Sequence, residues 1–201
     1  MALENTRAGR IYLSVFAGKL TQNVPEGTEG ATERKNKNGR IVHELTYDKL
    51  TGLLTDISFR VGDYGKEIHF TVEDGIETYL LQQPFSSKVA KSIIMRLPNC
   101  DLTKDIDIHT GWDTTKESTF SFIRQDGQTV KSKYTKDEPN GLPPMEQIKV
   151  KGEDVWDDTK QLEFLSKMIQ DDILPKLKAK PEPKPAPEPI DPEQDGDDLP
   201  W

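Results

Sequence analysis

Several features are scarce in this chain of 201 residues, and each absence excludes a class of protein. The sequence has one cysteine, Cys100, so it cannot form an internal disulfide, which fits a reducing compartment. No apolar run approaches the roughly 18 residues of a membrane span, and Met1 to Arg10 lack the apolar core of a signal peptide. We therefore expect a soluble cytoplasmic protein that does not bind membranes.

Sequence motifs for catalysis and for cofactor binding are also missing. There is no glycine-rich phosphate loop, no Cys or His pair at metal-ligand spacing and no Gly-x-Ser-x-Gly turn. His43, His69 and His109 are scattered over strand-like segments, where a single histidine is usually structural. Asp105 and Asp107 alternate along one segment, but two acids alone do not make a catalytic or metal site. The sequence predicts no enzyme, no metal and no cofactor.

The composition divides the chain into a folded part and a tail. Hydrophobic residues make up only 33% of the chain and charged residues 31%, so we expect part of it to be unfolded. From Pro175 prolines become frequent, and 180–189 reads as an extended spacer that rises about 3.1 Å per residue. We predict a folded domain at 1–174, a Pro-rich linker at 175–190 and an acidic, disordered tail at 191–201.

The tail concentrates negative charge and ends in an aromatic residue. Its 11 residues hold five acids and no base, so removing them changes the net charge from −8 to −3. Local basic surfaces on the folded domain therefore remain possible despite the negative total. A Trp after solvated acids can anchor in a pocket of another protein, with the acids held by cations at the pocket rim. The alternative is a solubilising tail that happens to end in Trp.

Short alternating runs separated by turn signals predict a mainly antiparallel sheet. The expected strands are 10–17, 40–47, 53–61, 66–72, 76–81, 105–109, 118–124, 128–135 and 145–150. Residues 21–39 show no apolar periodicity and are expected to form a loop. A helix capped by Ser86 or Ser87 is predicted to end near Leu97, and another is predicted from Asp157 or Asp158 to about Ile173, with Gln161 as a capping-box partner.

This succession of elements is typical of a five-stranded OB-fold-like barrel with extra hairpins. A helix after a meander suits the open end of such a barrel, and the fold recurs in proteins that bind single-stranded nucleic acid. The overall prediction is a mainly β protein with one mid-chain helix, one C-terminal helix and a disordered acidic tail.

Two segments carry aromatic and basic residues near the start of the chain. Tyr12 and Phe16 lie on the strand face opposite Leu13 and Val15, where they form either a stacking platform for bases or part of a strand buried on both sides. The loop that follows ends in cations that either contact phosphates or are simply solvated. Those selected as candidates are Lys35, Lys37 and Arg40.

The most informative pair of strands flanks Asp126-Gly127, which is a strong hairpin signal. With a two-residue turn, Phe122 faces Lys131 and Phe120 faces Lys133, and directly opposed residues share a face. One face then collects Phe120, Phe122, Arg124, Lys131 and Lys133. Rings that stack on bases contribute roughly 1–3 kcal/mol each, and cations neutralise phosphates. The alternative is that both rings enter the core and the lysine stems cover its rim.

The end of the chain resembles the C-terminal tip of single-stranded DNA-binding proteins, which has Asp residues, an aliphatic residue, Pro and an aromatic. Here the residues in that order are Asp197, Asp198, Leu199, Pro200 and Trp201. Leu stands where Ile is usual and Trp where Phe is usual, and the match covers about seven residues. The layout of the whole chain is similar to that of phage-encoded members of this group.

The resemblance implies non-sequence-specific coating of single-stranded DNA during replication, recombination and repair. It also implies an OB fold, a location in the host cytoplasm and a homo-oligomer as one possible state. The tail would recruit replication or recombination proteins through Asp195, Asp197, Asp198, Leu199, Pro200 and Trp201. Because the tail is acidic, we also expect it to occupy the basic face when DNA is absent.

A different class of function fits the same sequence. The chain can be an interaction or adaptor module that binds no nucleic acid and uses its tail to dock on a partner. The two hypotheses differ in the surroundings of three rings. Exposure of Tyr12, Phe120 and Phe122 beside Lys131 and Lys133 favours nucleic-acid binding, whereas burial of these rings favours an adaptor.

Overall fold

A computed structural model describes residues 9–36, 38–62, 65–150 and 152–179. The candidate Lys37, most of the predicted linker and the whole predicted tail lie outside these ranges. The described part is mainly β, with 48% of residues in strands and 18% in helical segments, as the alternating runs predict. No helix in these ranges is long and apolar enough to cross a membrane.

The described residues include twelve strands. They are β1 (Ile11–Phe16), β2 (Lys19–Val24), β3 (Thr32–Lys35), β4 (Ile41–Tyr47), β5 (Lys49–Gly62), β6 (Gly65–Glu73), β7 (Thr78–Pro84), β8 (Ile106–Asp113), β9 (Ser118–Gln125), β10 (Gln128–Thr129), β11 (Glu146–Val150) and β12 (Glu153–Asp157).

Ten of the strands form one sheet in the order β10-β9-β8-β5-β6-β7-β1-β2-β4-β3, and β11 and β12 form a separate hairpin. All pairs are antiparallel except β1 with β7. Strand β5 serves two neighbours, since Lys49 to Gly52 pair with β8 and Leu53 to Gly62 pair with β6. Among the described residues the terminal strands β10 and β3 do not pair with each other, so a closed five-stranded barrel is not confirmed.

The predicted loop at 21–39 is wrong, because it contains the end of β2 and all of β3. Strand β2 reads Lys-Leu-Thr-Gln-Asn-Val and has no clean alternation. It is held instead by backbone pairing with β1 on one side and β4 on the other. The prediction also missed β12, which completes a hairpin with the expected strand at 145–150.

The mid-chain helix α1 spans Lys88–Ile94, and a short 3₁₀ turn follows at Leu97–Asn99. Ser87 is the N-cap as predicted, since its hydroxyl accepts a hydrogen bond from the Ala90 N–H at 3.1 Å. The buried side of α1 packs against β9. It consists of Val89, Ala90, Ile93 and Ile94.

The C-terminal helical segment consists of α2 (Thr159–Met168), a π-helical turn (Ile169–Ile173) and α3 (Leu174–Lys178). The predicted capping box is wrong. Asp158 makes no side-chain cap bond, and Gln161 donates instead to the Pro143 carbonyl. The helical segment also continues beyond Ile173, because the wide turn bonds the Leu174 N–H to the Ile169 carbonyl and tolerates Pro175 directly afterwards. The folded region therefore extends past residue 174.

One hydrophobic core joins the sheet to both helical regions. Ile57, Ile68, Phe70 and Val72 are buried on the face that the alternation predicts. Leu165, Ile169, Ile173 and Leu177 of the C-terminal segment enter the same core. Each such side chain contributes about 1.5–3 kcal/mol when fully buried, so the core fixes the positions of the strands that carry the surface residues.

Candidate nucleic-acid interface

Three rings stack along the surface of β8 and β9. The cross-strand pairs are His109 with Phe122 and Gly111 with Phe120, so these residues share one face of the sheet. The His109 and Phe122 rings are parallel within 3°, with centroids 4.9 Å apart, and the Phe122 and Phe120 rings are 6.2 Å apart at 16°. We call His109, Phe122 and Phe120 the aromatic platform.

Gly111 determines how Phe120 lies. A Cβ atom at Gly111 would come within 2.3 Å of the Phe120 Cζ atom, so the ring covers the place where a side chain would stand. Phe120 is nevertheless 43% exposed. One side of its ring therefore rests on the sheet while the rest stays accessible. Gly111 and His109 were not among the site residues predicted from the sequence, and the signal for Gly111 was a strand glycine across from an aromatic residue.

The surroundings of His109 favour its neutral form. Burial lowers its pKa, nearby Arg124 and Lys49 lower it further, and Asp107 opposes them. Its Nε2 atom is buried and has no hydrogen-bond partner among the described residues. A neutral histidine keeps this end of the platform free of charge, which suits stacking against uncharged bases.

Two cations and one carboxylate stand beside the platform. Lys49 pairs with His109 across β5 and β8, and Arg124 pairs with Asp107 across β8 and β9. Asp107 accepts a hydrogen bond from the Thr51 hydroxyl at 2.6 Å and lies 3.8 Å from the Lys49 Nζ. The predicted candidate Arg124 therefore adjoins the platform, with one cation in excess over the carboxylate on this face.

The predicted positions of Lys131 and Lys133 are wrong. The Val130 N–H still donates to the Ile123 carbonyl at 2.8 Å, but the chain then leaves β9. The Lys133 N–H donates to the Met95 carbonyl, beside the end of α1. Burial of Tyr134, which is 6% exposed, draws the segment toward the helices. Lys131 and Lys133 are exposed, but they do not pair with Phe122 and Phe120.

Tyr12 and Phe16 are exposed on β1, at 55% and 48%, which excludes burial of this strand on both faces. The guanidinium carbon of Arg34 lies 4.0 Å from the centroid of the Phe16 ring. Arg34 also donates to both carboxylate oxygens of Glu44, at 2.8 and 2.5 Å, and the Glu44 hydrogen bonds raise the Arg34 pKa. The charge that covers Phe16 is thus already neutralised within the protein.

Lys35 and Arg40 lie at the tip of the hairpin formed by β3 and β4. Asn36 closes the tip, since its N–H donates to the Arg40 carbonyl at 2.8 Å and its side chain accepts from the Arg40 N–H. Both cations are exposed, and neither forms an ion pair within the described ranges. These two candidates are free to contact a polyanion.

A backbone contact joins the β1 region to the platform. The turn Ala17–Gly18 has positive φ at both residues, 46° and 79°. A Cβ atom on Gly18 would stand 2.5 Å from the Gly111 carbonyl carbon. The turn therefore contacts the β8 backbone at Gly111, the residue that the Phe120 ring covers. Phe16 immediately precedes this turn. Trp112, which the sequence analysis did not select, follows Gly111 and is 47% exposed.

The geometry offers little for metal or thiol chemistry. Within residues 9–36, 38–62, 65–150 and 152–179, no group of three or more His, Cys, Asp or Glu residues could hold a metal ion. Burial raises the pKa of the Cys100 thiol to about 11, so the thiolate needed for nucleophilic attack is scarce at neutral pH.

Comparisons with known proteins add no family. No protein-family model matches the chain, and searches of curated proteins and of solved structures find no significant match.

Proposed function

We propose that this protein binds single-stranded DNA without sequence preference. Unpaired bases stack on the aromatic platform, and the neighbouring cations contact the backbone. The observation that carries the proposal is Phe120, whose ring rests over Gly111, stacks on Phe122 and remains 43% exposed. An exposed ring supported in this way loses little conformational freedom when a base stacks on it.

The physical basis favours unpaired strands. Base–aromatic stacking contributes roughly 1–3 kcal/mol per base and depends little on base identity. Bases in a duplex already stack on each other, so the platform has no access to their faces. The cations Lys49, Arg124, Lys35 and Arg40 add a salt-dependent, sequence-independent contribution.

An OB-like arrangement is part of the proposal. Strand β1 pairs with β2 and, in parallel, with β7. Strand β4 leads into β5 after the single residue Asp48. The connected series β1, β2, β4–β5, β6 and β7 therefore returns to β1, which supports a barrel-like curvature in this part of the sheet.

The tail completes the proposal. Residues 195–201 recruit replication, recombination or repair proteins, and the prolines at 180–189 hold them away from the domain. The support is the ordered resemblance of Asp197 to Trp201 to the tip of single-stranded DNA-binding proteins. The similar layout of the whole chain to phage-encoded members of this group favours a phage origin. When DNA is absent the acidic tail competes for the cations, so a variant lacking 191–201 binds DNA more tightly at low salt.

A direct titration tests the proposal. Full-length protein is added to fluorescently labelled oligo-dT and to a duplex of equal length, and anisotropy is measured at several salt concentrations. We expect tighter binding to oligo-dT at every salt concentration, with affinity falling as salt rises. Equal affinity for both probes, or no binding to oligo-dT at modest ionic strength, contradicts the proposal.

A second candidate is an adaptor module without nucleic acid. The β11–β12 hairpin favours it, since this separate two-stranded sheet exposes Ile148, Val155 and Trp156, the last at 62%. Isolated hairpins are marginal in water and gain stability from a partner. Protein that ignores oligo-dT, and whose hairpin becomes protected from hydrogen exchange only when a partner protein is added, fits this candidate instead.

A further inference from the structure

A cavity of 310 Å³ opens beside Phe120, between the start of α1 and the turn that joins β8 to β9. Lys88 lines one side and Lys116 the other, while Phe120 forms part of the wall. The volume lies at the lower end of the roughly 300–1,000 Å³ typical of ligand sites. Hydroxyl groups complete the lining, from Ser92, Ser118, Thr119 and Ser121.

The cavity keeps a net positive charge. Lys88 is exposed and makes no ion pair among the described residues. Asp113, the one acid in the lining, accepts the N–H groups of Thr115 and Lys116 at 3.0 and 3.1 Å. The Lys116 Nζ lies 3.7 Å from Asp113, and its side chain is 77% exposed. That contact is long and solvated, so Lys116 can turn toward an anion at little cost.

The hydroxyl groups divide into occupied and available donors. Ser92 donates to the Ser121 carbonyl at 2.6 Å, and Ser121 donates to the Val89 carbonyl at 3.0 Å, so both serve the packing of α1 on β9. Ser118 and Thr119, at the start of β9, show no side-chain hydrogen bond within the part of the chain that the structure describes. Because side chains alternate along a strand, Ser118 shares the face of Phe120, whereas Thr119 shares the face of Ser121. Lysines and hydroxyls are groups that proteins use to bind phosphate oxygens.

We propose that this cavity binds the phosphate of the nucleotide whose base stacks on Phe120. The inference rests on the proposed function, since it assigns the backbone contact that belongs to the platform. It makes Lys88 and Lys116 partners of the ring, in place of the Lys131 and Lys133 that the hairpin pattern suggested. An aromatic platform with its own phosphate site holds one nucleotide in place and thereby sets where the bound DNA begins to cross the sheet.

The test compares two full-length variants that lose the same charge. K88Q/K116Q removes both cavity lysines, and K176Q/K178Q removes two exposed lysines of α3 that make no ion pair among the described residues. Affinity for labelled oligo-dT is measured from low to high salt. We expect K88Q/K116Q to bind more weakly at low salt. Its plot of log K against log salt should be shallower by about 0.7 for one lost phosphate contact.

A double-mutant cycle with F120A makes the test specific. If one nucleotide contacts both the ring and the cavity, the losses from F120A and K88Q/K116Q are not additive, whereas those from F120A and K176Q/K178Q are. If the wild type binds oligo-dT and the affinities of K88Q/K116Q and K176Q/K178Q are the same, this inference is wrong and the proposed function still stands. Failure of the wild type to bind oligo-dT defeats the proposed function itself.

Discussion

Two surfaces of this protein combine aromatic rings with an arginine, yet they differ in which of these groups already have a partner within the protein. At Phe16 the guanidinium of Arg34 lies over the ring and is itself bound by the carboxylate of Glu44, which is 5% exposed. At the platform the Phe120 ring rests over a glycine, and no cation lies over it among the described residues. At the first surface the ring and the arginine already have partners within the protein, whereas at the second the ring remains accessible to a ligand.

The comparison shows that residue types alone do not identify a binding surface. Both segments have the alternating aromatic and basic pattern that suggests base stacking. The difference arises from residues distant in sequence, since Glu44 lies 10 residues from Arg34 and Gly111 lies nine residues before Phe120. A candidate surface is therefore best judged by the contacts that its charges and rings still lack.

Removing one ring from each surface tests whether the two surfaces differ in DNA binding. F120A should weaken binding to oligo-dT by about fivefold to 150-fold, the range that corresponds to a lost stack of roughly 1–3 kcal/mol. F16A should cost much less affinity, because Arg34 already covers that ring. Fluorescence anisotropy at fixed salt measures both. Equal losses for the two variants would show that the surfaces are equivalent.

A substitution at the Phe16 surface should lower the stability of the fold rather than the affinity for DNA. E44Q replaces the buried charged partner of Arg34 and should lower the free energy of unfolding by about 1 kcal/mol, with little change in DNA affinity. Urea denaturation followed by circular dichroism measures the loss. E33Q is the matched control, since Glu33 is exposed on β3 and makes no ion pair among the described residues. A large loss of DNA affinity in E44Q would count against the division.

Adding a methyl group beneath the Phe120 ring tests whether the platform depends on Gly111. G111A should displace Phe120, because the new Cβ atom would lie 2.3 Å from its Cζ atom. We expect a severalfold loss of oligo-dT affinity, smaller than that of F120A because the displaced ring still offers some contact. G9A is the control, since a Cβ atom at Gly9 meets nothing within 4 Å. Unchanged affinity in G111A would show that the flat position of Phe120 is unimportant.

The smallest expected effect concerns pH. Burial holds the His109 pKa below its ordinary value, so the unfolded chain binds a proton more readily than the folded chain does. The contribution of neutral His109 to the free energy of unfolding should therefore be fully present above the ordinary histidine pKa of about 6.5 and should decline as pH falls below it. H109Q should flatten this decline, measured by thermal melts between pH 7.5 and 5. An identical decline in both proteins would assign it to other groups.

The sequence was most informative where the pattern is local. Alternation showed that Tyr12 and Phe16 share one strand face, but it left open whether these rings and Phe120 are exposed or buried. The Asp126-Gly127 signal predicted the β9–β10 hairpin. It could not show that this hairpin ends after Val130, because the cause is the packing of Tyr134 on distant helices. The support of Phe120 by Gly111, and the cavity between Lys88 and Lys116, also depend on pairings between separate segments.

The π-helical turn has a consequence for the end of the folded chain. Leu165, Ile169, Ile173 and Leu177 recur every four residues, whereas a regular α-helix completes a turn in 3.6, so their direction would drift by about 40° at each step. The wider turn at Ile169–Ile173 absorbs part of that drift and keeps the last two side chains aimed inward. In a regular α-helix the drift from Leu165 to Leu177 would reach about 120°, which would turn Leu177 away from the core and leave the final helical turn, Leu174–Lys178, without its buried side chain.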